Sequence, residues 1–186
     1  MHTFEKSSYP ERIAELIDDR RECALDAGTP NQEFAQTLES LDLHEAFAPH
    51  PITDLPMARA CHSGLWLLHQ FLDRSHEISQ RIDTPTGSFW HGIMHRLEGD
   101  YSNAKYWFRR VGEHPVFKSL AAAAQATCSE QFPNKIVWDP YDYIDRCEAA
   151  IHGPNHDVPV LRRIGRIEWE LLFDFSCQQA VGAQDQ

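Results

Sequence analysis

The run MARACHSGLWLLHQFLDRSHEISQRI, residues 57–82, is apolar nearly all round at its centre. A surface helix needs only one apolar stripe, so a helix of this composition has to be enclosed by other elements. The pattern predicts a central helix over 57–82. Shorter amphipathic segments flank it. Pro10 opens a helix through ERIAELIDDRRECALDA, with Ile13, Leu16, Ile17 and Ala24 along one side and Gly28-Thr29-Pro30 ending it. Asn31 caps a second helix to position 47, where Phe34, Leu38, Leu41 and Phe47 recur at helical spacing. Three prolines make residues 48–56 a loop.

Downstream, Thr84 or Thr86 caps a helix over 87–97, Gly99-Asp100 turns the chain, and a helix covers 102–111. Another is expected from 116 to about 129. After a loop over 132–138, Asp139 and Pro140 open a helix to 151, and a last one spans about 160–180. No alternating pattern longer than four residues survives, and Ile136-Val137-Trp138 is too short to found a sheet. The expectation is an all-α fold, a single domain over 1–186 with seven or eight helices in an orthogonal or bundle-like array.

Charge narrows the partners. With 28 acidic and 17 basic residues the formal net charge is −11, which disfavours nucleic acid and anionic membrane surfaces. No stretch approaches the roughly eighteen apolar residues of a membrane span. The opening MHTFEKSSYPERIAELIDDRRE has no apolar h-region, and the expected compartment is the cytoplasm. Five scattered cysteines, none in a C-x-x-C pair, give neither a disulfide framework nor a zinc ribbon. They read as small buried hydrophobes.

Histidines carry the chemistry. His62, His69 and His76 recur every seven residues, and a seven-residue step on a helix drifts only about 20°. They form one stripe beside Leu65 and Leu72, so at least one imidazole faces the interior. A core histidine bonded to a carbonyl is the plain interpretation of each. His76, following Ser75 and near Gln80, is singled out as catalytic; Ser75 and His76 point about 100° apart and are not a nucleophile–base pair. His2, His44, His50, His114, His152 and His156 read as solvent histidines.

On the 87–97 helix, Phe89, Trp90, Ile93, Met94 and Leu97 share one arc, and His91, His95 and Glu98 share another about 60° wide. Two imidazoles and a carboxylate at i, i+4, i+7 can hold a divalent ion and leave positions open for water or substrate. His91, His95 and Glu98 are therefore the metal candidates, with His76 an alternative to Glu98, and zinc, iron or manganese the candidate ions. The bland alternative is a solvated polar face opposite an apolar one. Arg96 and Arg109 are candidates for holding a small polar or anionic substrate. As structural residues they would instead pair with Glu98 or Asp100, or offset a helix dipole. Trp90, Tyr106, Trp107 and Phe108 read as core.

GIMHRLEGDYSNAKYWFRRVGEHP, residues 92–115, resembles one tetratricopeptide repeat: Gly92 at the small first-helix position, Gly99-Asp100-Tyr101 at the turn, Ala104 at the close-packing alanine, Phe108 at the second-helix aromatic and Pro115 near the terminal proline. No second copy follows at a 34-residue period, so the resemblance implies a single helical hairpin. The longer run SHEISQRIDTPTGSFWHGIMHRLEGDYSNAKYWFRRVGEHPVF resembles a block of an uncharacterised bacterial all-α protein family; the resemblance implies the helical fold and assigns neither an activity nor site residues. Two functions are thus in contention. One is a metal-dependent enzyme with a pocket lined by His, Arg and Trp; the other is a helical protein-interaction module on the same hairpin. A homo-oligomer is compatible with both.

Overall fold

A computed structural model describes residues 4–18, 23–129, 138–153 and 158–182. Among the described residues the protein is all-α, with ten α-helices and no strand. Helices α1 (Glu11–Leu16), α2 (Ala35–Glu39) and α3 (Leu43–Ala46) are short. The longer ones are α4 (Leu55–Leu68), α5 (Leu72–Ser79), α6 (Pro85–Glu98), α7 (Tyr101–Val111), α8 (Pro115–Ser129), α9 (Pro140–His152) and α10 (Val158–Val181). No helix among them is long and apolar enough to cross a membrane. The expected loop over 132–138 lies, but for Trp138, outside the described residues, as do His2 and His156.

The expected long helix over 57–82 is two helices. Gln70 adopts a left-handed conformation (φ +62°) between them. There the Phe71 N–H donates to Trp66 O (3.0 Å) and the Gln70 N–H to Leu67 O (2.9 Å), the paired bonds of a Schellman termination. The rings of Trp66 and Phe71 meet edge to face at 5.1 Å across the same turn, supplying its apolar contact. Gln70 rather than Gly tolerates this backbone because its Oε1 accepts from the Thr29 N–H at 2.9 Å. The seven-residue histidine stripe is broken accordingly. His62, half-buried, bonds Leu38 O through Nε2 (3.0 Å) and His69, fully buried, bonds Leu16 O through Nε2 (2.8 Å), so both are held on carbonyls, while His76 rides on α5.

The two expected N-terminal helices are also shorter than their patterns. After Leu16 the chain turns extended at Ile17 (φ −88°, ψ 113°). The carbonyls that would have carried the helix onward are occupied: Leu16 O by His69, and Ile17 O by Lys6 Nζ at 2.7 Å. The 31–47 segment becomes a 3₁₀ turn, α2 and α3, because the Asp42 carboxylate accepts the Glu45 N–H (3.0 Å) and starts a new helix there.

The core forms where α4, α6 and α10 meet. Trp90 of α6 is fully buried, and a Cβ added to Gly64 of α4 would lie 2.8 Å from its ring, so glycine is what lets these helices approach. Trp90 Nε1 donates to Ser176 Oγ (3.2 Å), and Trp169 Nε1 donates to Gly64 O (2.8 Å), tying both α4 and α6 to α10. Every residue of α6 from Thr86 to Leu97 is buried. That includes Arg96, whose guanidinium pairs with the equally buried Glu168 of α10 and lies 4.5 Å over the Tyr143 ring. It also includes Thr86, whose Oγ1 lies 3.1 Å from His114 Nε2. His114 is a core residue at 6% exposure, not a solvent histidine. Its Nδ1 accepts from the Val116 N–H (3.3 Å), so Nε2 carries the proton and the ring is neutral; burial holds its pKa down at about 4.

Two predictions follow from these buried groups. Glu168→Leu alone leaves an uncompensated guanidinium in the core and should cost about 3–5 kcal/mol in urea denaturation, whereas Arg96→Met with Glu168→Leu should recover most of it. For His114 the unfolded chain takes up a proton that the fold refuses between pH 6.5 and about 4. Stability should therefore fall as pH drops through that window, by up to about 1.4 kcal/mol per unit from this group, and His114→Asn should flatten the decline by that share.

Candidate functional site

Helices α6 and α7 form a hairpin whose ends are written in the sequence. Thr84 Oγ1 accepts the Gly87 N–H (3.1 Å) and Pro85 occupies the first turn, so α6 starts at 85 rather than at 87. At its other end Gly99 takes φ +85°, with the Asp100 N–H donating to His95 O (3.0 Å) and the Gly99 N–H to Arg96 O (3.2 Å). Asp100 then caps α7 by accepting the Asn103 N–H at 3.0 Å. A Cβ on Gly92 would come within 2.9 Å of the Phe108 ring, so the two helices touch at a glycine.

Alongside this hairpin, α5 is anchored to α4 by a buried hydroxyl pair. Ser63 Oγ and Ser75 Oγ lie 2.7 Å apart, and Ser63 also donates to Ser75 O (3.2 Å). Ser75 therefore faces the core, and its neighbour His76 is turned toward α6.

There His76, His91 and His95 converge. Their rings lie 4.6 Å (76 to 91), 4.6 Å (91 to 95) and 5.5 Å (76 to 95) apart, and one nitrogen from each falls within 4.8 Å of the other two. His91 and His95 are buried and His76 is half-buried, so the group opens to solvent at His76. The outer edges of two rings are held. His91 Nδ1 lies 2.9 Å from Ser79 Oγ, whose own hydrogen is directed at His76 O (3.4 Å). The Ser79 hydroxyl thus holds the Nδ1 edge of the His91 ring. His95 Nδ1–H donates to Glu98 Oε1 (2.5 Å), and its Nε2 accepts from Asn103 Nδ2 (3.1 Å). Burial, then the neighbouring His95 and His76, push the His91 pKa down to about 3. Its imidazole is neutral across the physiological range.

The i, i+4 pair His91 and His95 is thus brought together as the spacing expects, and His76 is the third member. Glu98 lies behind His95, not beside His91. His95, Glu98 and Asp100 make a second, more exposed group whose donor atoms also lie within 4.8 Å. Arg96 points the other way into its pair with Glu168, and Arg109 is exposed with its guanidinium 5.9 Å over Tyr106. Trp107, read from the sequence as core, is half-buried with its ring 4.1 Å from His91. Arg110 lies 5.2 Å over Trp107 and 3.5 Å from the exposed carboxylate of Asp83. Ser79 and Asn103 went unnoticed in the sequence. Ser79 shares a helix face with His76 at i, i+3, a spacing that could have flagged it; Asn103 reaches His95 only through the hairpin.

Comparison of the chain with protein-family models, with curated proteins and with solved structures returns no match. The geometry is what bears on function.

Gly92→Ala should push α7 off α6, costing about 1–3 kcal/mol by overpacking. Trp107 Cβ lies 3.5 Å from the same point, so the substitution should also move that indole relative to His91 and shift tryptophan emission. An unchanged spectrum with unchanged stability would show that the contact at Gly92 does not position the site.

Proposed function

We propose that His76, His91 and His95 bind one divalent metal ion and that the protein is a metal-dependent enzyme acting on a small polar or anionic substrate. The observation that carries this reading is the convergence of three imidazoles from α5 and α6, two of them with one nitrogen engaged by Ser79 and Glu98; an ion would take His95 Nε2 in place of the Asn103 amide that meets it. Metal-ligating histidines characteristically donate the other N–H to a carboxylate or a similar acceptor, which fixes tautomer and ring orientation. Around an ion with nitrogens at about 2.0–2.1 Å, tetrahedral donors sit about 3.3 Å apart, a contraction from at most 4.8 Å that is within reach of side-chain rotation. Zinc, iron and manganese are the ions proposed for this donor set. Glu98 enters as the group that orients His95, in place of the direct ligand that its i+7 spacing favoured.

Three protein ligands leave a position for substrate or water, and an ion there would act as a Lewis acid on a substrate oxygen or on water. The partly exposed side, toward His76, is the entry. Arg110 and Trp107 beside His91 suit an anionic or planar substrate better than Arg96, whose charge is already balanced by Glu168. A second reading, a helical interaction module, draws on the outer face of α7, where Tyr106 is 46% exposed beside Arg109.

The deciding measurement is metal content of untagged protein purified without chelator, by inductively coupled plasma mass spectrometry, followed by titration with Zn²⁺ and Co²⁺. Near-stoichiometric metal is expected, lost in His91→Ala/His95→Ala and weakened about 10–100-fold in Glu98→Gln. A folded parent that takes up neither ion, or a double variant that binds as well as the parent, overturns the metal reading and leaves the α7 face as the one to pursue.

A further inference from the structure

Cys61 of α4 and Cys177 of α10 bring their sulfur atoms to 3.0 Å of each other, 116 residues apart in sequence. Both are buried, and neither contributes to the histidine group. A disulfide bond is about 2.0 Å long, so bonding would need roughly 1 Å of closure between these two helices. Access is one-sided. Cys177, with Tyr9, Phe47, His50 and Asp174, lines a surface crevice of about 410 Å³, whereas Cys61 does not and is 1% exposed. The structure thus offers one sulfur to a small molecule entering the crevice and sets the other within bonding reach of it.

We propose that Cys61 and Cys177 are a covalent modification site, a reversible disulfide that fastens α4 to α10 when a small peroxide enters the crevice. The chemistry proceeds in two steps. The Cys177 sulfur attacks one peroxide oxygen, the O–O bond breaks, and the thiol proton leaves with the departing oxygen as water, giving a sulfenic acid. Cys61 then attacks that sulfur, the S–O bond breaks, and the hydroxyl departs with the Cys61 proton as a second water. Each thiol sulfur is oxidised by one electron overall, and the two peroxide oxygens are reduced. Burial first, and then the neighbouring Cys61, hold the Cys177 thiol pKa well above its ordinary value, so little thiolate is present and the pair reacts slowly. The resulting cross-link would close a loop of more than a hundred residues between helices already joined by the Trp169 bond to Gly64. Loops of that size gain most from a cross-link.

The test uses the full chain. Purified protein is treated with hydrogen peroxide, then unfolded, alkylated with iodoacetamide and mapped by mass spectrometry. Two fewer alkylated cysteines are expected, with a peptide linking Cys61 to Cys177 that dithiothreitol separates, and a melting temperature raised by about 5 °C or more until reduction. Cys61→Ser and Cys61→Ala should both abolish the link and stop at an oxidised Cys177. The proposal is overturned if all cysteines remain alkylatable after peroxide, if the linked peptide joins a different pair, or if Cys177 of the parent proceeds to sulfinic acid unlinked.

Discussion

A helix buried on every side has no solvent to satisfy its polar side chains, and α6 is such a helix from Thr86 to Leu97. Much of the surrounding architecture answers that constraint. Glu168 on α10 neutralises Arg96, Ser176 on α10 accepts from Trp90, Ser79 on α5 receives His91, Asn103 on α7 meets His95, and His114 pairs with Thr86. Each partner comes from a different neighbour or a different point along it. The positions of α5, α7 and α10 around α6 are therefore specified by polar matching as well as by apolar packing.

The same constraint separates two kinds of buried charge-capable group. Arg96 and Glu168 pair through both terminal guanidinium nitrogens and both carboxylate oxygens, so their charges balance one another in the core. The three histidines differ: Ser79 holds one edge of His91 and Glu98 one edge of His95, while one nitrogen from each of the three rings falls within 4.8 Å of the others. The gap between them reaches solvent at His76, and the Asn103 amide meets His95 there. Nitrogens of three imidazoles brought to one gap could share a single cation, which is what the proposed metal site would use.

Much of the fold was legible in the sequence, and the failures have physical causes. Local signals fixed α6, α7 and α9: Thr84-Pro85, Gly99-Asp100 and Asp139-Pro140 each act within a few residues of themselves. The long pattern over 57–82 misled because it carries no glycine or proline at the break, and the left-handed Gln70 is stabilised by Thr29 from another part of the chain. The first helix stops early because His69 and Lys6 take its carbonyls, again a tertiary effect. For the site, the i, i+4 pair on α6 was visible in the spacing. The third histidine, His76, stood out in the sequence for its neighbours Ser75 and Gln80, whereas the structure sets it beside His91 through the packing of α5 on α6, and the seven-residue stripe is interrupted at Gln70. Arg96 drew attention as a substrate arginine because Glu168, its partner, lies 72 residues away and nothing local announces it. Cys61 and Cys177 escaped notice for the same reason.

The residues of the histidine group and its supports all fall between Ser75 and Arg110, within two consecutive helical turns of the chain path: α5 onto α6, then α6 onto α7. Such contacts have low sequence separation and close cheaply. During folding or synthesis this segment can bring its imidazoles together before α10 exists to complete the core. The order of events then matters chemically: a metal ion met at that stage would act as a nucleus for the hairpin, and the arrival of Glu168 and Ser176 on α10 would lock a site that had already formed.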